Sequence, residues 1–388
     1  MNRGVAVLLG AQFLTAFADN AILFAAVAMV LAGPELGDWY VPALQSVFLV
    51  AFVALAPWVG PFADRMPKPR VLIIGNLLKA VGALLMVLQV DALIAYALVG
   101  VGAAVYGPAK YGALPELVEH DALVKANGWI EGSTIAAIVL GTVVGAKVAD
   151  ASISTALWMV VGLFLLSAAA TLLMPALPAR GALPGPALAG FVKQTRMFFQ
   201  TSRARFSMLG ASLFWSAAAA LRVLIVAWAP LALGLNSASG IAELTLVLAG
   251  GIVVGTLLAP RFIPIENLRR ARLAGYLLGV AILTLAFADN VWVARCVLIM
   301  VGIAGGLFVV PVNAALQEIG HRTIGSGGAV AIQNFFENLA MLLAVGLWTW
   351  AASDGVDPTF AIGFLGVVLV IATAIVAWRL PAVASSES

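Results

Sequence analysis

Gln12, Thr15 and Asp19 follow one another at spacings of three and four, which stacks them on one face of a helix. In LTAFADNAILF (14 to 24), Asp19 and Asn20 interrupt an apolar run that extends from Val5 to Ala32. Holding a charge at the centre of hydrocarbon costs about 2.5 to 3.5 kcal/mol, so such a group marks pairing, hydration or function. Lys79, Lys110, Glu131, Arg222, Glu243 and Glu337 lie in other apolar runs, with Lys147 and Arg295 near run ends. Their chemistry is charge recognition. The Arg222 guanidinium offers a fork of donors to a phosphate, and the Asp19 and Glu337 carboxylates offer counter-charges to an ammonium.

The elements that position these groups are long and apolar. In 388 residues, 63% are hydrophobic and 10% charged, with a mean hydropathy of +1.07, against about 25% charged in a soluble domain. A spanning helix needs roughly 20 apolar residues at about 1.5 Å each. The chain divides into twelve such runs, about 5 to 32, 41 to 63, 71 to 90, 92 to 114, 129 to 149, 154 to 174, 207 to 234, 241 to 260, 273 to 288, 291 to 317, 329 to 352 and 359 to 380. The first is read as a retained helix, because it exceeds a signal-peptide core and leads straight into the second. Asp19 lies fourteen residues after Val5 and Arg222 fifteen after Ser207, about 21 and 22 Å along their helices, which puts both near the midplane. Glu243, Lys147 and Arg295 are close enough to run ends to snorkel.

The basic residues outside the runs or at their very ends fall on one side, in alternate loops: Arg3; Arg65, Lys68, Arg70; Lys125; Arg180, Lys193, Arg196, Arg203, Arg205; Arg261, Arg269, Arg270, Arg272; Arg322; Arg379. That asymmetry places those loops and both termini in the cytoplasm and accounts for much of the pI of about 9.2. A nucleic-acid partner is excluded, since no water-exposed domain carries a basic cluster. The single Cys296 rules out an internal disulfide, and His120 and His321 sit in loops, so neither metal nor cofactor is expected.

The longest loop, 175 to 206, begins rich in Pro and Gly and ends basic. It divides the chain into six-run halves, 1 to 174 and 207 to 388; its basic end suits either a plain linker or a short amphipathic helix on anionic headgroups. The halves repeat. GVGAAVYGPAKYGALPEL (100 to 117) places Pro108, Lys110 and Glu116 as GIAGGLFVVPVNAALQEI (302 to 319) places Pro311, Asn313 and Glu318, and Glu131 of NGWIEG matches Glu337 of QNFFEN. Two parallel six-helix repeats with substrate bound between them is the architecture of the major facilitator superfamily, an all-α integral membrane fold. GPFADRMPKPR (60 to 70) resembles that superfamily's G-x-x-x-D-R-x-G-R-K loop through Gly60, Asp64, Arg65 and Lys68, with Pro67 and Pro69 departing from it. The expected role is conformational, through charge pairing and helix-dipole contacts.

The eleventh run presents Gln333, Asn334, Glu337 and Asn338 as the first presents its polar stripe, and Trp215 shares a face with Arg222. These helices are expected to line one chamber. The assigned headgroup contacts are Thr15, Asp19, Asn20, Lys110, Arg222, Gln333, Glu337 and Asn338; the gating residues are Asp64, Arg65, Lys68, Lys79 and Glu131. Three alternatives stay open: Asp19 and Arg222, or Glu337 and Arg222, could neutralise each other structurally; Lys79 and Glu131 could be purely structural; and Lys110, toward the cytoplasmic end of its helix, suits gating as well as binding. Few midplane charges of both signs among Phe, Leu, Ala and Val suit an amphiphile with a small charged head.

FADNAILF (17 to 24), GPAKYGALPEL (107 to 117), VKANGWIEGSTIAAIVLG (124 to 141), SLFWSAAAALRVLIV (212 to 226), VPVNAALQE (310 to 318) and AIQNFFENLAML (331 to 342) resemble, in order along nearly the whole chain, the bacterial lysophospholipid transporter family of that superfamily. The resemblance implies facilitated movement of lysophosphatidylethanolamine and lysophosphatidylglycerol from the outer to the inner leaflet of the inner membrane. It also implies charged working residues at the positions of Asp19, Lys110, Arg222 and Glu337, and a separate acyltransferase partner that reacylates the product. A proton-coupled multidrug exporter shares the fold and an acidic residue in the first helix. A membrane acyltransferase needs an H-x-x-x-x-D box, which HDALVK around His120 does not supply. A non-transporting scaffold would need no midplane charges.

Overall fold

Caps and breaks set where the helices begin. In this computed structural model, which describes residues 3–32, 40–179, 186–235 and 238–378, thirteen α-helices are present: α1 Arg3–Ala32, α2 Tyr40–Arg65, α3 Lys68–Val87, α4 Ala92–Leu117, α5 Leu123–Ala151, α6 Ile153–Thr171, α7 Ala187–Phe198, α8 Ser202–Leu233, α9 Ala238–Phe262, α10 Ala271–Leu285, α11 Val291–Arg322, α12 Ser326–Ser353 and α13 Pro358–Ala377. The Asp91 carboxylate accepts from the amides of Leu93 and Ile94, Asp357 from Thr359 and Phe360, and the hydroxyls of Ser152 and Thr201 from Thr155 and Ala204. Each satisfies donors that a helix start otherwise leaves open. Pro67 stands at the N-cap of α3, and Gly234, at φ +65°, ends α8.

Eleven of these helices are long and apolar enough to cross a membrane. The remaining expected span is α10, whose 15 residues follow the 3-10 segment Ile265–Arg270. The twelve runs therefore all appear as helices, no strand occurs among the described residues, and the chain is a multi-pass membrane protein. The thirteenth helix, α7, lies in the basic end of the long loop. Arg180 of that loop, and Arg379 after α13, lie outside the described residues.

The chain forms two compact units. One comprises Met1–His120, Ser133–Met197 and Gln317–Phe335; the other comprises Asp121–Gly132, Phe198–Leu316 and Phe336–Ser388. In the first, α3 packs along α4 and α6, and α1 along α6. Glycine permits this approach: a Cβ on Gly75 would come 2.9 Å from the Gly102 carbonyl oxygen, and one on Gly82 2.8 Å from that of Ala95. In the second unit, α13 packs against α10 and α8, and Gly302 and Gly306 of α11 lie against the α9 backbone around Ile252, where a Cβ on Gly302 would meet the Ile252 amide nitrogen at 2.6 Å. Small residues at four-residue spacing are how helices associate where burial of apolar surface supplies no drive.

Candidate functional site

The spacing of α1 puts Thr15 and Asp19 on one face, and the three-residue step between Asn76 and Lys79 does the same on α3. The two faces meet. Lys79 Nζ donates to Asp19 Oδ2 at 2.7 Å and to Thr15 Oγ at 3.1 Å. Thr15 Oγ donates to Asn76 Oδ1 at 2.7 Å, Asn76 Nδ2 to Ser167 Oγ at 2.9 Å, and Ser167 Oγ to the Ala11 carbonyl at 2.7 Å. One hydrogen-bonded chain thus ties α1, α3 and α6 across a bundle of otherwise apolar side chains. The Lys79 side chain is 1% exposed and that of Asp19 22%. Lys79 Nζ also stands 4.9 Å from the centre of the Tyr106 ring and 5.5 Å from that of Phe164, so aromatic faces cover much of the ammonium. Asp19 Oδ1 is enclosed and accepts no hydrogen bond among the described residues. One α1 turn away, Gln12 Nε2 donates to Thr134 Oγ at 3.0 Å.

Lys79 is therefore the counter-ion of Asp19 within the first unit. Arg222, on α8 of the second unit, is exposed and forms no ion pair with a described residue of its own unit. Asn20 turns back on its own helix, Nδ2 donating to the Ala16 carbonyl at 2.8 Å. Lys110 is buried, with Nζ 3.9 Å from the Tyr111 ring centre. On α12, Gln333, Asn334, Glu337 and Asn338 are all buried; the first two belong to the first unit and the last two to the second.

The loop motif after α2 has a definite geometry. Asp64 accepts from Lys68 Nζ at 2.7 Å and from the amides of Gly327 and Gly328 at 3.0 Å each, so its carboxylate caps the start of α12. Lys68 is 1% exposed and also donates to the Ala63 carbonyl at 2.9 Å. Gly325 turns the chain into α12 at φ +90°, and a Cβ there would come 2.6 Å from Asp64 Oδ2. Arg65 points outward and is exposed. Glu131, 2% exposed, accepts from Asn313 Nδ2 at 3.0 Å in the second unit. Glu318 holds His120 Nδ1 at 2.8 Å and Arg322 at 2.9 Å. Asn76 and Ser167 carry the α1–α3–α6 chain yet were not singled out from sequence; the only signal was the position of Asn76 one turn before Lys79.

The arrangement offers fixed charges in an apolar interior. The Major Facilitator Superfamily model matches residues 8–328. Among solved structures, the chain superposes on the human organic anion transporter MFSD10 with a TM-score of 0.78, covering 96% of this chain and 99% of that one at 14% identity. It superposes on the E. coli fucose:proton symporter FucP at 0.76, covering 97% and 98%, also at 14% identity. The family model and the fold thus define a membrane transporter of the major facilitator class. The chain is 43% identical to the lysophospholipid transporter LplT of Photorhabdus laumondii, covering 98% of this chain and 96% of that protein, and 42% identical to that of Klebsiella pneumoniae, covering 97% and 96%. It belongs to the LplT family of the major facilitator superfamily.

Proposed function

We propose that the protein is a lysophospholipid flippase, carrying lysophosphatidylethanolamine and lysophosphatidylglycerol from the outer to the inner leaflet of the bacterial inner membrane. The observation that carries this reading is near full-length similarity to relatives named for lysophospholipid transport. Charges set singly in apolar helices support it, since they suit a small charged head on an apolar body. The headgroup enters sideways from the outer leaflet. Its phosphate engages Arg222, the exposed cation of α8. The amine of an ethanolamine head engages Asp19 or Glu337, exchanging with Lys79 at the Asp19 carboxylate. Thr15, Asn20, Lys110, Gln333 and Asn338 complete the polar lining.

Alternating access follows from rocking of the two six-helix repeats, 1 to 174 and 207 to 388, joined by 175 to 206. Asp64, Arg65 and Lys68 bias the equilibrium, with Lys79 and Glu131 as further switching groups. Both termini and the basic loops face the cytoplasm, where a separate acyltransferase reacylates the product. Transport is facilitative and needs no ion gradient. Liposomes containing the purified protein will accumulate labelled lysophosphatidylethanolamine in the inner leaflet, with or without an imposed proton gradient, and will leave diacyl phosphatidylethanolamine in place. Uptake that requires the gradient, or export of unrelated amphiphilic cations in its place, overturns the reading.

A further inference from the structure

Where α8 begins and α13 ends, the second unit carries an open pocket of about 380 Å³ lined by Ser202, Arg205, Ile375, Val376 and Trp378. Its polar wall is a cation with donors to spare. Arg205 makes one hydrogen bond among the described residues, from Nη2 to Ser202 Oγ at 3.2 Å, and forms no ion pair with any of them. Arg203 nearby points elsewhere, donating to the Ile265 carbonyl at 2.9 Å. None of the described lining residues is acidic. The opposite wall is apolar and uncovered, Ile375 being 69% and Trp378 83% exposed.

That apolar wall continues. Phe364, Val368, Ile371, Ile375 and Trp378 recur at alternating steps of four and three along α13, and all five are exposed, so they form one outward stripe. Fourteen residues of helix make it about 21 Å long, more than the roughly 15 Å hydrocarbon depth of a single leaflet. A Trp at the foot of such a stripe sits where indole prefers to lie, at the boundary between headgroups and chains.

The geometry points to a resident-lipid site: the pocket seats the phosphodiester headgroup of an anionic phospholipid on Arg205 and Ser202, with an acyl chain along the α13 stripe. A guanidinium fork matches two phosphate oxygens, and basic pockets between membrane helices are suited to anionic heads. With an arginine and no carboxylate among its described lining residues, the pocket favours a head with net negative charge over a zwitterion. Its occupant is independent of the transported cargo, because the pocket stands on the outward face of α13 and uses none of the midplane charges.

The test uses the full-length protein in vesicles of phosphatidylcholine with a minor fraction of phosphatidylglycerol, extracted gently and weighed with its bound lipids by native mass spectrometry. Wild type will retain phosphatidylglycerol in preference to phosphatidylcholine. Arg205→Gln will lower that retention by about tenfold or more, Trp378→Ala will lower it in the same direction, and Arg270→Gln, which removes an exposed arginine outside the pocket, will leave it unchanged. Equal retention in Arg205→Gln overturns the site. So does an equal loss in Arg270→Gln, which would mean general charge attraction, or displacement by inorganic phosphate, which would mean a free anion. Retention that emerges only after residues 379–388 are removed would make the chain's own tail the occupant and also overturn it.

Discussion

Replacing Lys79 by Met keeps most of the side-chain volume and removes the ammonium that holds Asp19. Two hydrogen bonds are lost, those to Asp19 at 2.7 Å and Thr15 at 3.1 Å, and the carboxylate whose Oδ1 already lacks a partner is left alone. Breaking a buried pair from one side costs about 3 to 5 kcal/mol. With Asp19 22% exposed, hydration of the orphaned charge trims this to about 2 to 4 kcal/mol. Removing both charges, in Asp19→Asn with Lys79→Met, leaves no orphan and should return stability to within about 1 kcal/mol of wild type. Thermal unfolding of the purified protein in detergent reads the difference. At roughly 2 to 4 °C per kcal/mol, Lys79→Met should lower Tm by on the order of 5 to 10 °C, and the double variant should recover most of it. A single variant within about 2 °C of wild type, or a double variant less stable than the single, would refute the pairing.

Arg222→Ala should leave Tm almost unchanged, since the side chain is exposed and forms no ion pair with a described residue of its unit, yet reduce lysophospholipid flipping in liposomes by about tenfold or more; normal flipping would refute the phosphate contact. Asp64→Asn weakens both the Lys68 pair and the charge at the start of α12, worth about 1 to 2 kcal/mol, so the populations of the two access states should shift by roughly 5- to 30-fold, measurable by labelling of introduced cysteines on opposite membrane faces after Cys296 is replaced. Gly302→Leu forces a side chain against the α9 backbone and should cost several kcal/mol, on the order of 3, read as loss of folded protein after solubilisation; Gly162→Leu, which meets nothing within 4 Å, is the silent control.

The helices were legible because each must be apolar for the length of a bilayer, and that constraint is written locally. Their ends were less so. α5 starts at Leu123 rather than near 129, since Lys125, Asn127 and Gly128 interrupt the apolar run without interrupting the helix, Asn127 Nδ2 donating to the Leu123 carbonyl at 3.0 Å. Likewise α8 starts at Ser202 because Thr201 caps it. The depth of Asp19 could be counted along its helix, whereas its partner could not. Lys79 is 60 residues away, and nothing in either segment states that α1 and α3 face each other; opposite charge and similar depth point to Arg222 instead. Asp64 stood out through its motif, but its acceptance of the Gly327 and Gly328 amides depends on a contact spanning most of the chain. Uncharged Asn76 and Ser167 gave almost no signal, because a lone polar residue in an apolar run carries no period.

The most direct measurement compares inward flipping of labelled lysophosphatidylethanolamine and lysophosphatidylglycerol by Asp19→Asn, with Asp19→Glu as its partner, in liposomes bearing equal amounts of folded protein. Loss of about tenfold or more for the ethanolamine lipid in Asp19→Asn, with the Glu variant restoring part of it and the glycerol lipid less affected, is the predicted result. Wild-type flipping of both lipids by Asp19→Asn would contradict a headgroup grip built on that carboxylate.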